Sequence, residues 1–189
     1  MISKKRTVVF LIIDICLMSL LVWLDQFTKT VVKASLQGNE PLSLIGDFVT
    51  FRYLENTGAA FSILQNRRIF FLIVGTLFVV VIIFFLVLIP PTKKYLPLRG
   101  GLCFLGAGAV GNMIDRFFLH YVVDFISVGT FPVFNVADIY VTVSTAFLII
   151  LVLFVYKDDD LDFKKARHPK LHSSMLPPEE NPDSGSEKS

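Results

Sequence analysis

The chain has 189 residues, of which 53% are hydrophobic and 18% charged, and 19 are phenylalanine. With a mean hydropathy of +0.64, this composition excludes an ordinary soluble domain and is typical of membrane proteins. The net charge of +2 does not point to a nucleic-acid partner, and we expect none.

Four apolar stretches are candidates for membrane-spanning helices, because a hydrocarbon core of about 30 Å needs roughly 20 apolar residues. They cover about residues 8–24, 69–89, 101–119 and 139–156. The third is the weakest, since glycines interrupt it and Asp115 and Arg116 lie near its end. The predicted fold class is an all-α membrane protein. Residues 1–157 would form one domain of four transmembrane helices, and residues 158–189 a disordered cytoplasmic tail.

The long loop between the first two stretches, about residues 26–68, contains a signal for β structure. Val49, Phe51 and Tyr53 alternate with Thr50 and Arg52, and this period of two predicts a strand. The residues NTG that follow predict a turn. We therefore expect a small β-rich segment between helices 1 and 2, lying on the outer membrane surface.

The distribution of lysine and arginine predicts the orientation of the chain. Cations precede the first stretch and follow the fourth, and Lys93, Lys94 and Arg99 crowd the loop between the second and third. The loop between the third and fourth stretches has no cation. Both termini are therefore predicted to be cytoplasmic. The cations of the long first loop do not alter this, because long loops translocate largely regardless of charge.

The third stretch contains the sequence GAGAVG, with Gly106, Gly108 and Gly111. This spacing matches the dinucleotide-binding fingerprint, but that fingerprint requires a preceding strand and a soluble helix after it. Inside a membrane span, small residues instead allow helices to approach each other closely. We interpret the glycines as a helix-packing surface.

The first stretch and the residues after it contain ionisable side chains that need partners. Asp25 and Lys29 are four residues apart, which is the spacing of an ion pair at the end of a helix. Asp14 lies inside the apolar run, where it either faces a polar group of another helix or marks a water pocket.

Two further polar groups lie near the end of the third stretch and at the start of the fourth. The spacing of Asn112, Asp115 and Arg116 places them on one helical face, and Asp115 and Arg116 are candidates for an internal ion pair. Asn135 is placed to cap the fourth helix, and Asp138 at the third helical position completes a capping box. Capping alone explains Asp138 without any chemistry.

Asp124 has no comparable structural explanation. It lies in an alternating segment, which turns its side chain away from those of Val123 and Phe125, and no cation is near in sequence. If the loop folds back, Asp124 and Asp138 meet at the outer membrane surface. Two carboxylates about 3 Å apart cannot both ionise, and one shared proton makes the pair both general base and general acid.

The two acids are expected to titrate as a unit. The helix N-terminus beneath Asp138 favours its anion, so we expect the proton on Asp124 more often. This is the chemistry of aspartic proteases, which needs no metal and no cofactor. Phe131, Pro132 and Phe134 supply an apolar loop near this pair that is suited to a lipid-facing groove.

The motifs LDQFTK, NTGAAFS, GNMIDR, VVDF and FNVAD occur together in this chain. In their order and span positions, residues 8–156 closely resemble the bacterial lipoprotein signal peptidases (signal peptidase II). The resemblance implies a four-helix aspartic endopeptidase of the bacterial cytoplasmic (inner) membrane, with its active site at the outer face. Such enzymes remove the signal peptide of a prolipoprotein by cleaving just before its diacylglyceryl-modified cysteine. The implied partners are these prolipoproteins and membrane lipid.

The resemblance also implies a role for each residue that matches a family motif. Asp124 and Asp138 would be the catalytic pair, and no metal or cofactor would take part. The residues that line and brace the site would be Asn56, Gly58, Asn112, Arg116 and Asn135. The structural supports would be Asp25, Lys29 and Asp115. The β-like outer segment, about residues 38–68, would cradle the substrate.

Two other classes of protein stay open on the residues alone. A small proton-coupled transporter or channel would also carry charges inside its spans, such as Asp14, Asp25, Asp115 and Arg116. Against this class, the four stretches show no inverted repeat. A non-enzymatic assembly subunit would not need two unpaired acids at one rim of the membrane.

Overall fold

The computed structural model describes residues 4–58 and 67–163. Within these residues the chain is mostly helical and has a small antiparallel sheet of three strands. The helices are α1 Lys4–Leu36, α2 Arg68–Leu88, α3 Leu96–Phe118, α4 Val136–Ile150 and the short α5 Asp158–Leu161. The strands are β1 Leu42–Ile45, β2 Val49–Asn56 and β3 Val122–Val128. A 3₁₀ turn, Lys93–Tyr95, precedes α3, and a π-helical turn, Leu151–Val155, extends α4.

Three of the described helices are long and apolar enough to cross a membrane: Lys4–Leu36, Arg68–Leu88 and Val136–Val155. The remaining predicted span, the third (residues 101–119), lies almost entirely in α3, which is 23 residues long but contains glycines and charges. Apolar side chains project outward from α2, including Ile69, Leu77 and Phe84, which are 72%, 61% and 60% exposed. Such a surface is typical of a helix that faces lipid.

Helix α1 is longer than its apolar stretch indicates. It was expected to span about residues 8–24, with a loop from residue 26, but it continues to Leu36. It ends where Gly38 adopts a positive φ of 78°, a conformation in which glycine commonly terminates helices. The prediction of an outer loop that begins at residue 26 is therefore wrong. The helix continues because the charges after Leu24 find partners on α3, as described below.

Helix α3 is the centre of the bundle and packs against α1, α2 and α4. Its glycines lie at the close contacts. A Cβ atom on Gly108 would lie 2.5 Å from the carbonyl oxygen of Ala137 in α4, and one on Gly111 would lie 2.5 Å from Oδ2 of Asp25 in α1. These distances are too short for any real side chain, so the helix-packing interpretation of the glycines is confirmed.

The strand predicted from the alternating pattern is confirmed as β2. It pairs with β1 on one side and with β3 on the other, so the sheet order is β1-β2-β3. In the β2–β3 pair, Leu54 lies opposite Asp124 and Asn56 opposite Val122. The sheet therefore contains a strand from outside the predicted β-rich segment. Residues 59–66 of that segment lie outside the described residues.

The prediction that Arg99 lies in a loop between two spans is wrong. Arg99 lies in α3, is 1% exposed, and forms an ion pair with Asp14 of α1. It also donates hydrogen bonds of 2.7 and 2.8 Å to the carbonyl oxygens of Leu86 and Ile89 at the end of α2. Of the two alternatives for Asp14, the structure thus selects a polar partner on another helix.

The start of the predicted tail packs on the turn before α3. The Tyr156 hydroxyl donates to the carbonyl oxygen of Lys94 at 2.7 Å, and the Tyr95 hydroxyl donates to that of Asp160 at 2.8 Å. Tyr95 and Tyr156 stack with their ring centroids 5.8 Å apart. The first residues of the predicted tail thus form α5, and residues 164–189 lie outside the described residues.

Candidate active site

Asp124 lies in the middle of β3, with both faces of the strand covered. Its side chain is 2% exposed, and its neighbours Val123 and Phe125 are also buried. Two side-chain amides donate to the carboxylate: Nδ2 of Asn56 to Oδ2 and Nδ2 of Asn135 to Oδ1, both at 2.7 Å. Burial raises the pKa of Asp124 to about 6, the charge of Asp138 also raises it, and the two amide donors oppose the rise.

Asp138 lies in the first turn of α4, where the predicted capping box is confirmed. Oδ1 of Asn135 accepts from the backbone N–H of Asp138 at 3.0 Å, and Oδ2 of Asp138 accepts from the backbone N–H of Asn135 at 3.2 Å. The other oxygen, Oδ1, accepts from Nδ2 of Asn112 at 2.8 Å. Capping therefore uses one carboxylate oxygen, while the other points to a different partner.

Both carboxylates line one cavity of about 520 Å³. Its polar wall also contains Asn56, Gly58, Asn112 and Arg116, and its apolar wall contains Val122, Phe131, Phe134, Ile139 and Val143. The predicted apolar loop thus contributes Phe131 and Phe134. The combination of a polar end with an apolar wall suits a ligand that is part peptide and part hydrocarbon.

Asn135 is the residue that links the two acids directly. It is fully buried, and it contacts the carboxylates of both Asp124 and Asp138. Its Nδ2 also donates to Oδ1 of Asn112 at 3.1 Å. Asn112 of α3, Asp124 of β3 and Asp138 of α4 are therefore joined through Asn135 in one continuous hydrogen-bond network.

Arg116 positions the end of β2. Its guanidinium donates to the carbonyl oxygen of Gly58 at 3.1 Å and to that of Asn112 at 3.3 Å, and it lies 4.6 Å from the ring centroid of Phe71. Oδ1 of Asn56 accepts from the backbone N–H of Gly58 at 3.0 Å. The structure thus brings Asn56, Gly58 and Arg116 together beside the two acids, while their roles in the site stay predictions.

Asp25, Lys29 and Asp115 form a buried cluster next to the cavity. The predicted pair is confirmed, with Lys29 Nζ 2.9 Å from Oδ2 of Asp25. The same ammonium lies 2.9 Å from Oδ2 of Asp115. Asp115 therefore pairs with Lys29 of α1, and the ion pair that was considered between Asp115 and Arg116 is not formed. The three side chains are at most 3% exposed, so the predicted helix-end pair is an interior one.

Gln26 is a residue of this cluster that the sequence reasoning missed. Its Nε2 donates to Oδ1 of Asp115 at 2.9 Å, to the carbonyl oxygen of Gly111 at 3.1 Å, and to Oδ2 of Asp25 at 3.2 Å. It thus ties α1 to α3. The available signal was its position between Asp25 and Lys29 in the motif LDQFTK.

No group of three or more His, Cys, Asp or Glu side chains in residues 4–58 and 67–163 is arranged to hold a metal ion. The expectation that the site works without metal or cofactor stays a prediction.

Comparison with known proteins finds similarity to one family of membrane enzymes. Residues 17–154 match the family model described as signal peptidase (SPase) II. The lipoprotein signal peptidase of Clostridium novyi (strain NT) is 38% identical over 135 residues, which are 69% of this chain and 90% of that protein. The lipoprotein signal peptidase of Caldanaerobacter subterraneus subsp. tengcongensis is 38% identical over 141 residues, covering 74% and 95% of the two chains.

Two solved structures of bacterial membrane enzymes, both determined by the in meso method, share the fold. The one at 2.3 Å resolution has a TM-score of 0.64 and 31% identity, and the match covers 74% of this chain and 87% of that one. The one at 1.9 Å has a TM-score of 0.65 and 30% identity, covering 76% and 94%.

Proposed function

Because this chain belongs to the signal peptidase II family of aspartic peptidases, we propose that it removes the signal peptide from diacylglyceryl-modified prolipoproteins. Cleavage occurs just before the lipid-modified cysteine, and Asp124 and Asp138 activate the water. The enzyme acts in the bacterial cytoplasmic membrane. The observation that carries the proposal is the shared environment of the two acids: both line one cavity, and both contact Asn135.

The two acids have complementary roles in the proposed reaction. Asp138 lies at the N-terminus of α4, whose positive end favours the anion, so Asp138 accepts a proton from water. The oxygen of that water attacks the scissile carbonyl carbon. Asp124, whose pKa burial raises, donates its proton to the carbonyl oxygen. In the collapse of the tetrahedral intermediate, Asp124 recovers its proton, and Asp138 delivers its own to the leaving nitrogen as the C–N bond breaks.

The cavity wall supports a substrate that is anchored in lipid. Phe131, Phe134, Ile139 and Val143 form its apolar side, which suits hydrocarbon. Asn56, Asn112 and Asn135 hold the carboxylates by their amides, while Arg116 and Gly58 lie beside them. We assign these five residues to substrate binding and support of the site. The scissile bond of a lipid-anchored substrate lies at the membrane interface, so the reacting groups are required there.

Four crossing helices are part of the proposal, with α3 as the third span. A helix of 23 residues is about 34 Å long, enough to cross the hydrocarbon core. Its buried charges Arg99 and Asp115 are neutralised by Asp14 and Lys29 of α1. Both termini would be cytoplasmic and the site would face outward, since the segment between α3 and α4 contains no lysine or arginine.

This topology is testable with reporter fusions. A reporter after residue 156 should be active only in the cytoplasm, and one inserted near Gly129 only outside. Swapped results would place the two acids on the wrong side of the membrane and would refute the proposal.

The catalytic assignment is testable with single amide variants. Purified protein in detergent or lipid, with a chelator present, should cleave a diacylglyceryl-modified prolipoprotein, visible as a shift on a gel. Asp124→Asn and Asp138→Asn should each lower the rate by at least about a thousandfold, and the double variant should be hardly worse, because the two residues act as a unit. Asp47→Asn, an exposed acid in the β1–β2 turn, is the matched control and should retain activity.

The same assay separates the alternatives. If Asp138 served only as a helix cap, Asp138→Asn would cost about 1 kcal/mol of stability and leave cleavage intact. Substantial cleavage by folded Asp124→Asn or Asp138→Asn protein would refute the pair. A transporter or channel would show no cleavage at all. Several charges that favoured that class, Asp14, Asp25 and Asp115, are paired within the bundle, which weakens the argument for it.

A further inference from the structure

The Lys29 ammonium lies at the point where α1 meets the hydrogen-bond network of the two acids. It is 3% exposed and contacts three oxygens: Oδ2 of Asp25 and Oδ2 of Asp115, each at 2.9 Å, and Oδ1 of Asn112 at 3.1 Å. An ammonium has three hydrogen-bond donors, and each of these contacts can use one. A simple ion pair would need only one carboxylate. The contacts of the ammonium with a second carboxylate and with an amide oxygen therefore point to a further role.

The two carboxylates beside Lys29 hold the backbone next to the two acids of the site. Oδ1 of Asp25 accepts from the backbone N–H of Ala137 at 2.9 Å, the residue immediately before Asp138. Oδ2 of Asp115 accepts from the backbone N–H of Val123 at 3.2 Å, the residue immediately before Asp124. One lysine therefore pairs with both of the carboxylates that fix these backbone positions.

The third contact determines the orientation of the Asn112 side chain. A carboxamide has one end that accepts hydrogen bonds and one that donates them. Because Lys29 can only donate, Oδ1 of Asn112 must face it, and Nδ2 then points to Oδ1 of Asp138 at 2.8 Å. Oδ1 of Asn112 also accepts from Nδ2 of Asn135, which leaves the second hydrogen of that group for Asp124.

We propose that Lys29 is a positioning residue for the reaction. Its ammonium orients the Asn112 amide toward Asp138 and pairs with the two carboxylates that hold the backbone beside Asp124 and Asp138. This inference rests on the proposed function. It gives Lys29 more than a structural role, because Lys29 would orient the groups that contact the two proposed catalytic carboxylates.

The charged groups around Lys29 decide how its loss would change the pH profile. Asp25 of α1 and Asp115 of α3 contact Lys29, and the charge of Lys29 opposes the rise that burial causes in the pKa of Asp124 of β3. Removal of the ammonium removes this opposing effect, so the pKa of Asp124 rises further. The optimum of kcat/KM should therefore move to higher pH.

The test compares three variants of the full chain in the prolipoprotein assay. Lys29→Met keeps the length of the side chain and removes the charge. A triple variant combines Asp25→Asn, Lys29→Met and Asp115→Asn and removes all three charges, so no buried charge of the cluster is left unpaired. The two amide oxygens that it introduces can still accept from the backbone. Lys33→Met is the matched control, since Lys33 lies one turn further along α1 and donates to Tyr121 at 3.2 Å.

We expect Lys29→Met to lower kcat about a hundredfold with little change in KM, as for a misplaced catalytic group, and to shift the optimum to higher pH. The triple variant should fold as well as the parent by circular dichroism and still lose at least about tenfold in kcat. Lys33→Met should match the parent in both rate and pH profile.

Two results would overturn the proposal. One is a Lys29→Met protein whose folded fraction has the parent's kcat and pH profile, since a purely structural role changes only the amount of folded enzyme. The other is a triple variant with a kcat within about threefold of the parent; it decides the question if Lys29→Met alone does not fold. Failure of the proposed function is distinguishable, because it would appear as cleavage by the Asp124→Asn and Asp138→Asn variants.

Discussion

The ionisation of Asp124 should be measurable as a pH-dependent difference in stability between the parent chain and Asp124→Asn. Burial raises the pKa of Asp124 from 3.8 to about 6 in the folded state. Between these two values, the unfolded chain is ionised while the folded chain keeps the proton. The folded state therefore binds more protons, and its stability falls as the pH rises through this interval. Below about pH 4 the penalty is absent, and above about pH 6 it is complete.

The size of the effect follows from the difference between the two pKa values. About two pKa units at 1.36 kcal/mol each amount to about 3 kcal/mol. The Asn variant has no such titration, but it fits the site less well. Its NH₂ group must face the NH₂ of either Asn56 or Asn135, whereas both oxygens of the parent's carboxyl group can accept from these two amides. One buried hydrogen bond is thus lost, at a cost of about 1–3 kcal/mol.

We therefore expect Asp124→Asn to be less stable than the parent by about 1–3 kcal/mol at pH 4. By pH 7 the difference should have moved by about 3 kcal/mol in favour of the variant, so that the two proteins are similar or reversed in order. The measurement is the free energy of unfolding in mixed micelles, followed by the helical circular dichroism signal at each pH. The comparison of two proteins cancels the titrating groups that do not interact with Asp124.

Ser127→Ala is the matched control for this experiment. Ser127 lies in the same strand, is also buried and does not titrate, so its difference from the parent should be the same at every pH. If the free energies of unfolding of the parent and of Asp124→Asn changed in parallel from pH 4 to pH 7, the reasoning would be refuted. It would mean that the Asp124 carboxylate is as easily ionised in the folded state as in the unfolded chain.

Three further predictions concern the bundle and the tail. Gly108→Ala should lower stability by about 1–3 kcal/mol in the same unfolding assay, because its Cβ would lie 2.5 Å from the Ala137 carbonyl oxygen; Gly100→Ala, with open space around it, should not. Arg99→Met should destabilise by about 3–5 kcal/mol by leaving Asp14 buried without its partner, and a second change, Asp14→Leu, should restore most of the loss. A chain that ends at residue 163 should keep its cleavage rate within a few-fold in the gel assay, since the cavity lies far from the tail in sequence and is lined by residues 56–143.

Local signals predicted the parts of the fold that depend on neighbours in sequence. The alternation of Val49, Phe51 and Tyr53 predicted a strand that the structure contains, and the spacing of Asn135 and Asp138 predicted a capping box that forms. Such features are set by backbone geometry over a few residues. They did not need the rest of the fold to be known.

The end of α1 shows where local signals fail. Hydropathy ends the first apolar stretch at residue 24 because Asp25 and Lys29 are charged, yet the helix continues to Leu36. Both charges are stable inside the bundle because Asp115, 86 positions after Lys29, completes the cluster. Arg99 was assigned to a loop for the same reason, since its partner Asp14 lies 85 positions earlier. A partner so distant in sequence is visible only once the helices are packed.

The partners of the acidic residues distinguish the proposed reacting pair from the other acids of the bundle. Asp14, Asp25 and Asp115 each form an ion pair with a lysine or arginine. Among the described ion pairs none involves Asp124 or Asp138, which instead accept from amides: side-chain amides in both cases, and a backbone N–H at Asp138. An amide orients a carboxylate but adds no full charge that would prevent it from taking up a proton. A pair that must gain and lose a proton in each turnover needs that freedom, so the absence of a direct ion pair at Asp124 and Asp138 among the described residues fits the proposed chemistry.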